Sequence, residues 1–338
     1  IRPLYSVRLP RLNALIPMCL LLGSILSASL HAQEVTGIDP PEEQTEANEE
    51  AATPPKLKPW LITPTLSADP KLGSNVGGLI AYLKKLDAES TPSMLGLSVS
   101  YSDTDSMTGV LFSQLYWKAD SRRLGLLAAG AEINKEYDDF LGAGQTVETQ
   151  DNVHSFGFRY LHQLRPGGWF VGIQGVSTNY SVGADGILEG ALNQIGLSGF
   201  DATGLGLVFQ LDTMDNQRDP SSGHLHTLHN FAYRESLGGE ASFDVGYADL
   251  RWYRSIERVS VGKNGRSPVI AIQLKGRFTA DAPRSGYSSV NLPGYTMGNY
   301  LSRHSSHVLV DARIPLKGKL GLVAFGGVGC QFGEDIAG

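Results

Sequence analysis

The sequence predicts an all-β protein, an antiparallel up-and-down transmembrane β-barrel with about 13 strands present. Three observations carry this reading. After Trp60 no stretch keeps a helical period, whereas segments of period-two alternation recur as far as Gln331. Those segments mostly run about 9–13 residues, longer than the ~5–6 of an ordinary soluble strand and matched to the ~9–11 that cross a bilayer at a tilt. The three longest connections leave one side of the meander, while those on the other side are mostly short. A soluble β-sandwich or jelly roll also alternates, but it seldom sustains strands of this length.

Ahead of the strands lie two segments of different character. Residues 1–32 read as a signal peptide: Arg2, Arg8 and Arg11 precede an apolar run from Leu12 to Leu30, with cleavage expected after Ala32. A retained membrane helix competes with that reading, but Pro17 and Gly23 interrupt the run and an acidic tract follows it. Residues 33–58 are acidic, rich in Pro and poor in large apolar side chains, so they read as a disordered linker. The remainder, 59–338, is the expected barrel. Cys19 lies in the signal segment, which leaves Cys330 alone in the mature chain and no intrachain disulfide. A net charge of −6 gives no reason to expect nucleic acid as a partner, and 40 glycines without a three-residue period exclude collagen.

The expected strands, in order, are Trp60–Ser67, Val76–Leu86, Ser93–Ser102, Met107–Trp117, Arg123–Ile133, Asn152–Leu164 and Gly168–Thr178. Then come Thr203–Thr213, His224–Glu235, Ala241–Ile256, Pro268–Ala280, His307–Leu316 and Leu320–Gln331. One face of each is apolar. In the eleventh, Ile270, Ile272, Leu274 and Phe278 oppose Gln273, Lys275 and Arg277; in the twelfth, Val308, Val310, Ala312 and Ile314 oppose Leu309, Asp311 and Arg313. The long connections are Asn134–Asp151, Asn179–Ala202 and Asp281–Ser306. Trp117, Tyr160, Trp169, Tyr233 and Trp252 are expected in an aromatic girdle at the rim. Bacterial outer-membrane barrels have even strand numbers, so an odd count leads to the expectation of a barrel incomplete at its C-terminus.

Two passages carry specific chemistry. Gly204–Gly223 reads GLGLVFQLDTMDNQRDPSSG: Asp and Asn bond their own backbone in turns, Pro presets φ, and Gly accepts positive φ. The second passage, Asp281–Leu316, is a long Gly/Ser/Tyr-rich loop containing Pro293-Gly294-Tyr295, followed by the strand with Asp311-x-Arg313. Their order resembles the bacterial surface-antigen (BamA/TamA) superfamily of outer-membrane barrels. Asp212, Thr213, Asp215, Asn216, Pro220 and Gly223 match its periplasmic turn, with Met214 where an arginine is usual, and Pro64–Gly77 is similar to its barrel opening.

The resemblance implies a sixteen-stranded barrel whose sixth external loop folds back into the lumen, with its tip at Pro293, Gly294 and Tyr295. Pro293 stands where the family has arginine. Asp311 is therefore expected to pair with Arg277 or Arg313, because an unpaired carboxylate in a narrow lumen costs roughly 1–3 kcal/mol or more. The family's periplasmic transport-associated (POTRA) domains have no counterpart in residues 33–58. The implied role is outer-membrane protein assembly or translocation; the alternative is a passive pore or structural surface barrel sharing only the fold. Implied partners are outer-membrane lipid and unfolded outer-membrane client proteins or assembly-machine subunits.

No catalytic or cofactor site is expected. Gly142-Ala143-Gly144 lacks the third glycine of a dinucleotide loop, and no Gly-x-Ser-x-Gly elbow exists. His224, His226 and His229 have metal-like spacing but read more simply as neutral histidines at a barrel rim.

Overall fold

The computed structural model describes residues 59–69, 73–137, 147–184, 199–217, 219–256, 267–283, 286–289, 292–293, 301–316 and 321–335. The expected signal segment and linker lie outside these residues, as do Gly294 and Tyr295.

Among the described residues thirteen long strands and one two-residue strand form a single antiparallel meander. They are β1 (Trp60–Asp69), β2 (Gly73–Lys84), β3 (Ser93–Ser102), β4 (Met107–Trp117), β5 (Arg122–Tyr137), β6 (Val147–Arg165) and β7 (Trp169–Ala184). There follow β8 (Gly199–Asp212), β9 (Gly223–Tyr233), β10 (Phe243–Ser255), β11 (Val269–Ala280), β12 (Ser288–Ser289), β13 (Leu301–Pro315) and β14 (Gly321–Asp335). Each long strand pairs with the next long one, and the short β12 pairs with β13. Among the described residues β1 pairs only with β2, and β14 only with β13.

Alternation sorts the side chains onto two faces. On β8, Leu205, Leu207 and Phe209 are exposed, whereas Val208, Gln210 and Asp212 are buried. The register carries this sorting from strand to strand, because residues directly opposite share a face. Val208 faces His229, His229 faces Tyr247, Tyr247 faces Arg277 and Arg277 faces Ser305. The buried face is therefore mixed polar and apolar, and the exposed face is apolar, the inverse of a soluble sheet. Two small clusters pack the inner face: Phe200, Ala202, Phe243 and Val245 near the long-loop end, and Leu161, Phe170 and Val208 near the other.

Several expected boundaries are corrected. β5 and β6 run on to Tyr137 and start at Val147, pairing Asn134 with Gln150 and Glu136 with Glu148 inside an expected loop. Likewise β8 begins at Gly199 and β13 at Leu301. Hydrogen-bonded ladders continue past the apolar belt without needing apolar side chains, so hydropathy alternation underestimates their length.

Tyr233 is also corrected. It lies on the inner face, stacked on Phe243 with ring centroids 4.5 Å apart, because it continues the inward series Leu225, Thr227, His229 and Phe231. Trp117, Tyr160, Trp169 and Trp252 lie on the outer face at the short-turn end, joined there by Trp60 and Tyr82 (centroids 5.0 Å apart). This is the arrangement of a girdle, whose rings are apolar in body and polar at one edge.

Candidate functional site in the lumen

The inner face carries a connected set of charged and polar side chains. Asp249 on β10 accepts hydrogen bonds from Arg251 Nε and Nη2 at 3.0 and 2.8 Å and from Gln273 Nε2 at 2.9 Å, with Lys275 Nζ at 4.0 Å. A second series crosses from β6 to β11. Arg159 Nε donates to Gln174 Oε1 at 2.9 Å, and Gln174 Nε2 donates to His229 Nδ1 and to the Asn230 carbonyl, both at 2.8 Å. His229 stacks on Tyr247 with centroids 4.6 Å apart, and Arg277 Nε donates to the Tyr247 hydroxyl at 3.1 Å. Buried polar atoms cost free energy unless paired, so such a wall needs partners at each step. Arg159, Asp249 and Arg251 were not singled out in the sequence, although the signal was present: charged residues at inward positions of otherwise apolar strands.

Arg277 also holds the base of the long loop after β11. Its Nη1 donates to Ser288 Oγ at 3.1 Å and its Nη2 to the Gly286 carbonyl at 2.9 Å. Tyr287, Ser288 and Leu292 are buried, and a side chain at Gly327, on the inner face of β14, would strike Leu292. The described part of this loop thus lies inside the sheet's curve; Pro293 is exposed, and the rest of the tip lies outside the described residues. Arg277 binds the loop and not Asp311. Arg313 Nε lies 3.8 Å from Asp311 Oδ1, and its Nη1 lies 3.6 Å from Asp219 Oδ1.

The passage matched to a periplasmic turn connects β8 to β9. Asp212 is buried and takes Arg123 Nη1 of β5 at 2.5 Å, Gln217 Nε2 at 2.8 Å and the Met214 N–H at 3.1 Å. Asp215 Oδ1 accepts the N–H groups of Asn216, Ser221 and Ser222 at 3.0, 2.9 and 3.1 Å, and the Ser221 hydroxyl donates to its other oxygen. The Asn216 side chain accepts the Asp219 N–H at 3.2 Å, Pro220 is buried, and Thr213 exchanges bonds with His224. Gly223 has φ +97°, and a Cβ there would lie 2.2 Å from the Thr213 carbonyl oxygen, so only glycine fits.

Of the three histidines, His224 and His226 stack on the outer face while His229 faces inward, so one ion cannot take all three. Ser288, within the expected long connection Asp281–Ser306, is fully buried.

No family model matches the sequence, and no curated protein matches it. Among solved structures, CdiB from Acinetobacter baumannii matches with a TM-score of 0.50 at 10% identity, over 81% of this chain and 56% of that one. The likeness is one of fold, an antiparallel barrel meander. BamA from Haemophilus ducreyi lacking POTRA domains 1–3 matches with a TM-score of 0.45 at 12% identity, over 76% of this chain and 53% of that one. The chain thus spans little more than half the length of either solved structure.

Proposed function

We propose that this chain is an outer-membrane barrel protein of the surface-antigen superfamily, exported by a signal peptide ending at Ala32, that acts in outer-membrane protein assembly or translocation. The observation that carries this reading is the loop after β11, drawn into the lumen through Arg277 and buried at Ser288 and Leu292. It is the disposition that the sequence resemblance implies for the sixth loop. The outer face supports the membrane setting: Leu205, Leu207 and Phe209 would face acyl chains, and the Trp60, Trp117, Trp169 and Trp252 rings the headgroup region. No bond chemistry is required, since client strands are received by main-chain pairing along a sheet edge.

A second reading, a structural surface barrel or passive pore, draws on Pro293. Without an arginine at the tip, the loop is fastened at its base from the wall, which suits a fixed loop. One experiment separates the two. The purified chain is placed in phospholipid vesicles, and an unfolded outer-membrane barrel client is added. Heat-modifiable mobility on gels then reports client folding. Assembly activity should accelerate folding relative to vesicles holding an unrelated porin. Equal rates would leave the structural or passive reading.

A further inference from the structure

The turn between β8 and β9 does more than reverse the chain. Its ties reach well beyond the two strands it joins. On one side Gln217 Oε1 accepts from Arg123 of β5, three strands away, at 3.5 Å, and Gln217 Nε2 donates at 2.8 Å to Asp212, the last residue of β8, which Arg123 also holds. On the other, Asp219 lies against Arg313 of β13, four strands away, and the Ser221 carbonyl accepts a bond from Ser255 of β10 at 3.2 Å. Strands lie about 4.8 Å apart, so β8 and β13 are roughly 20 Å apart along the wall. Both arginines point inward, Arg123 over the ring of Phe170 at 4.1 Å and Arg313 over that of Tyr253 at 5.6 Å. A turn that merely hung below the rim could not meet both. It has to fold in beneath the lumen.

What it covers is visible. A cavity of about 100 Å³ lies inside the sheet at this end, lined by Phe112, Gln114, Tyr116, Arg123, Arg159 and Gln210 of the wall. Met214 and Gln217 of the turn line it too. The lining is wall on the sides and turn at the bottom. The turn is also built to keep its shape, with four backbone or side-chain donors gathered by Asp215 and a glycine that no other residue can replace.

We propose that residues 213–217 and 219–222 are the floor of the lumen: a folded-in plug that closes its short-turn end, held across the mouth by Arg123 on one side and Arg313 on the other. Arg313 is shared between Asp219 and Asp311, so the loop-bearing strand and the plug use one cation. Nothing in this depends on the assembly role proposed above.

The test reads access to the cavity. In the full chain with Cys19→Ser and Cys330→Ser, Gln114→Cys places one thiol on the cavity wall. The protein is held in a lipid nanodisc, and its reaction with a small cationic methanethiosulfonate is timed. With the turn intact the thiol should react slowly compared with Ser222→Cys. Asp219→Ala, which removes an exposed carboxylate, should accelerate labelling about two- to fivefold, as expected for a weak ion pair. Asp219→Arg, which repels Arg313, should accelerate it further. An unchanged thermal gel-shift midpoint would show that the variants act on the plug and not on the fold. Labelling at Gln114→Cys as fast as at Ser222→Cys, or the same rate with all three residues at 219, would overturn the proposal.

Discussion

Asp215 shows how much one carboxylate can organise. Burial, the largest single influence, pushes its pKa up, but the bonds from Ser221, Ser222 and Asn216 together outweigh it and hold it below the ordinary 3.8. A carboxyl whose pKa is lowered by folding contributes stability above its unfolded value and loses it as pH falls through the folded one. The turn should therefore keep its form at neutral and mildly acidic pH and loosen only below the usual carboxylate range. Hydrogen exchange at Ser221 and Ser222, compared between the parent and Asp215→Asn, checks this. The two should differ near neutrality and converge once the pH has fallen below the usual carboxylate range. Arg277 makes a second case. Arg277→Ala strips partners from the Gly286 carbonyl and Ser288 Oγ, a loss of roughly 1–3 kcal/mol that falls on the loop. Exchange at residues 286–289 should quicken while that of β11 stays unchanged.

Among the elements, the β8–β9 turn and the long connections behave differently. Gly223→Ala forces a side chain into the left-handed region and onto a carbonyl oxygen, and should cost about 1–3 kcal/mol, read as a lower urea midpoint for folding into vesicles. The connections after β5, β7 and β11 leave one end of the meander, because each strand reverses the one before it. In the proposed setting that end is extracellular. Gly144→Cys and Gly186→Cys should then react with an impermeant thiol reagent on whole cells. Labelling only after the outer membrane is disrupted would invert the topology.

For the molecule as a whole, the apolar exterior is the largest commitment. Leu207 sits mid-strand on that face, so Leu207→Arg should destabilise the protein in bilayers by about 2–4 kcal/mol. The same substitution at the rim, Leu164→Arg, should cost roughly 0–1 kcal/mol, since a headgroup region solvates the charge. Urea titrations of both variants in vesicles would measure the contrast; equal costs would mean the exposed face does not meet lipid.

Much of this was legible in the chain. Thirteen alternating segments, the sidedness of their connections and the face on which Asp311 and Arg313 lie all follow from a period of two, which is a local property. Asp212, Asp215, Asn216, Pro220 and Gly223 announced a turn by their own backbone chemistry. What alternation could not supply was distance across the sheet. That Arg123 meets Asp212, that Asp219 meets Arg313, and that Arg277 takes the loop base instead of Asp311 depend on curvature and register between strands far apart in sequence. Some of those ties are long-range because a charge buried on the inner wall, such as Asp212, needs a partner wherever the chain has placed one.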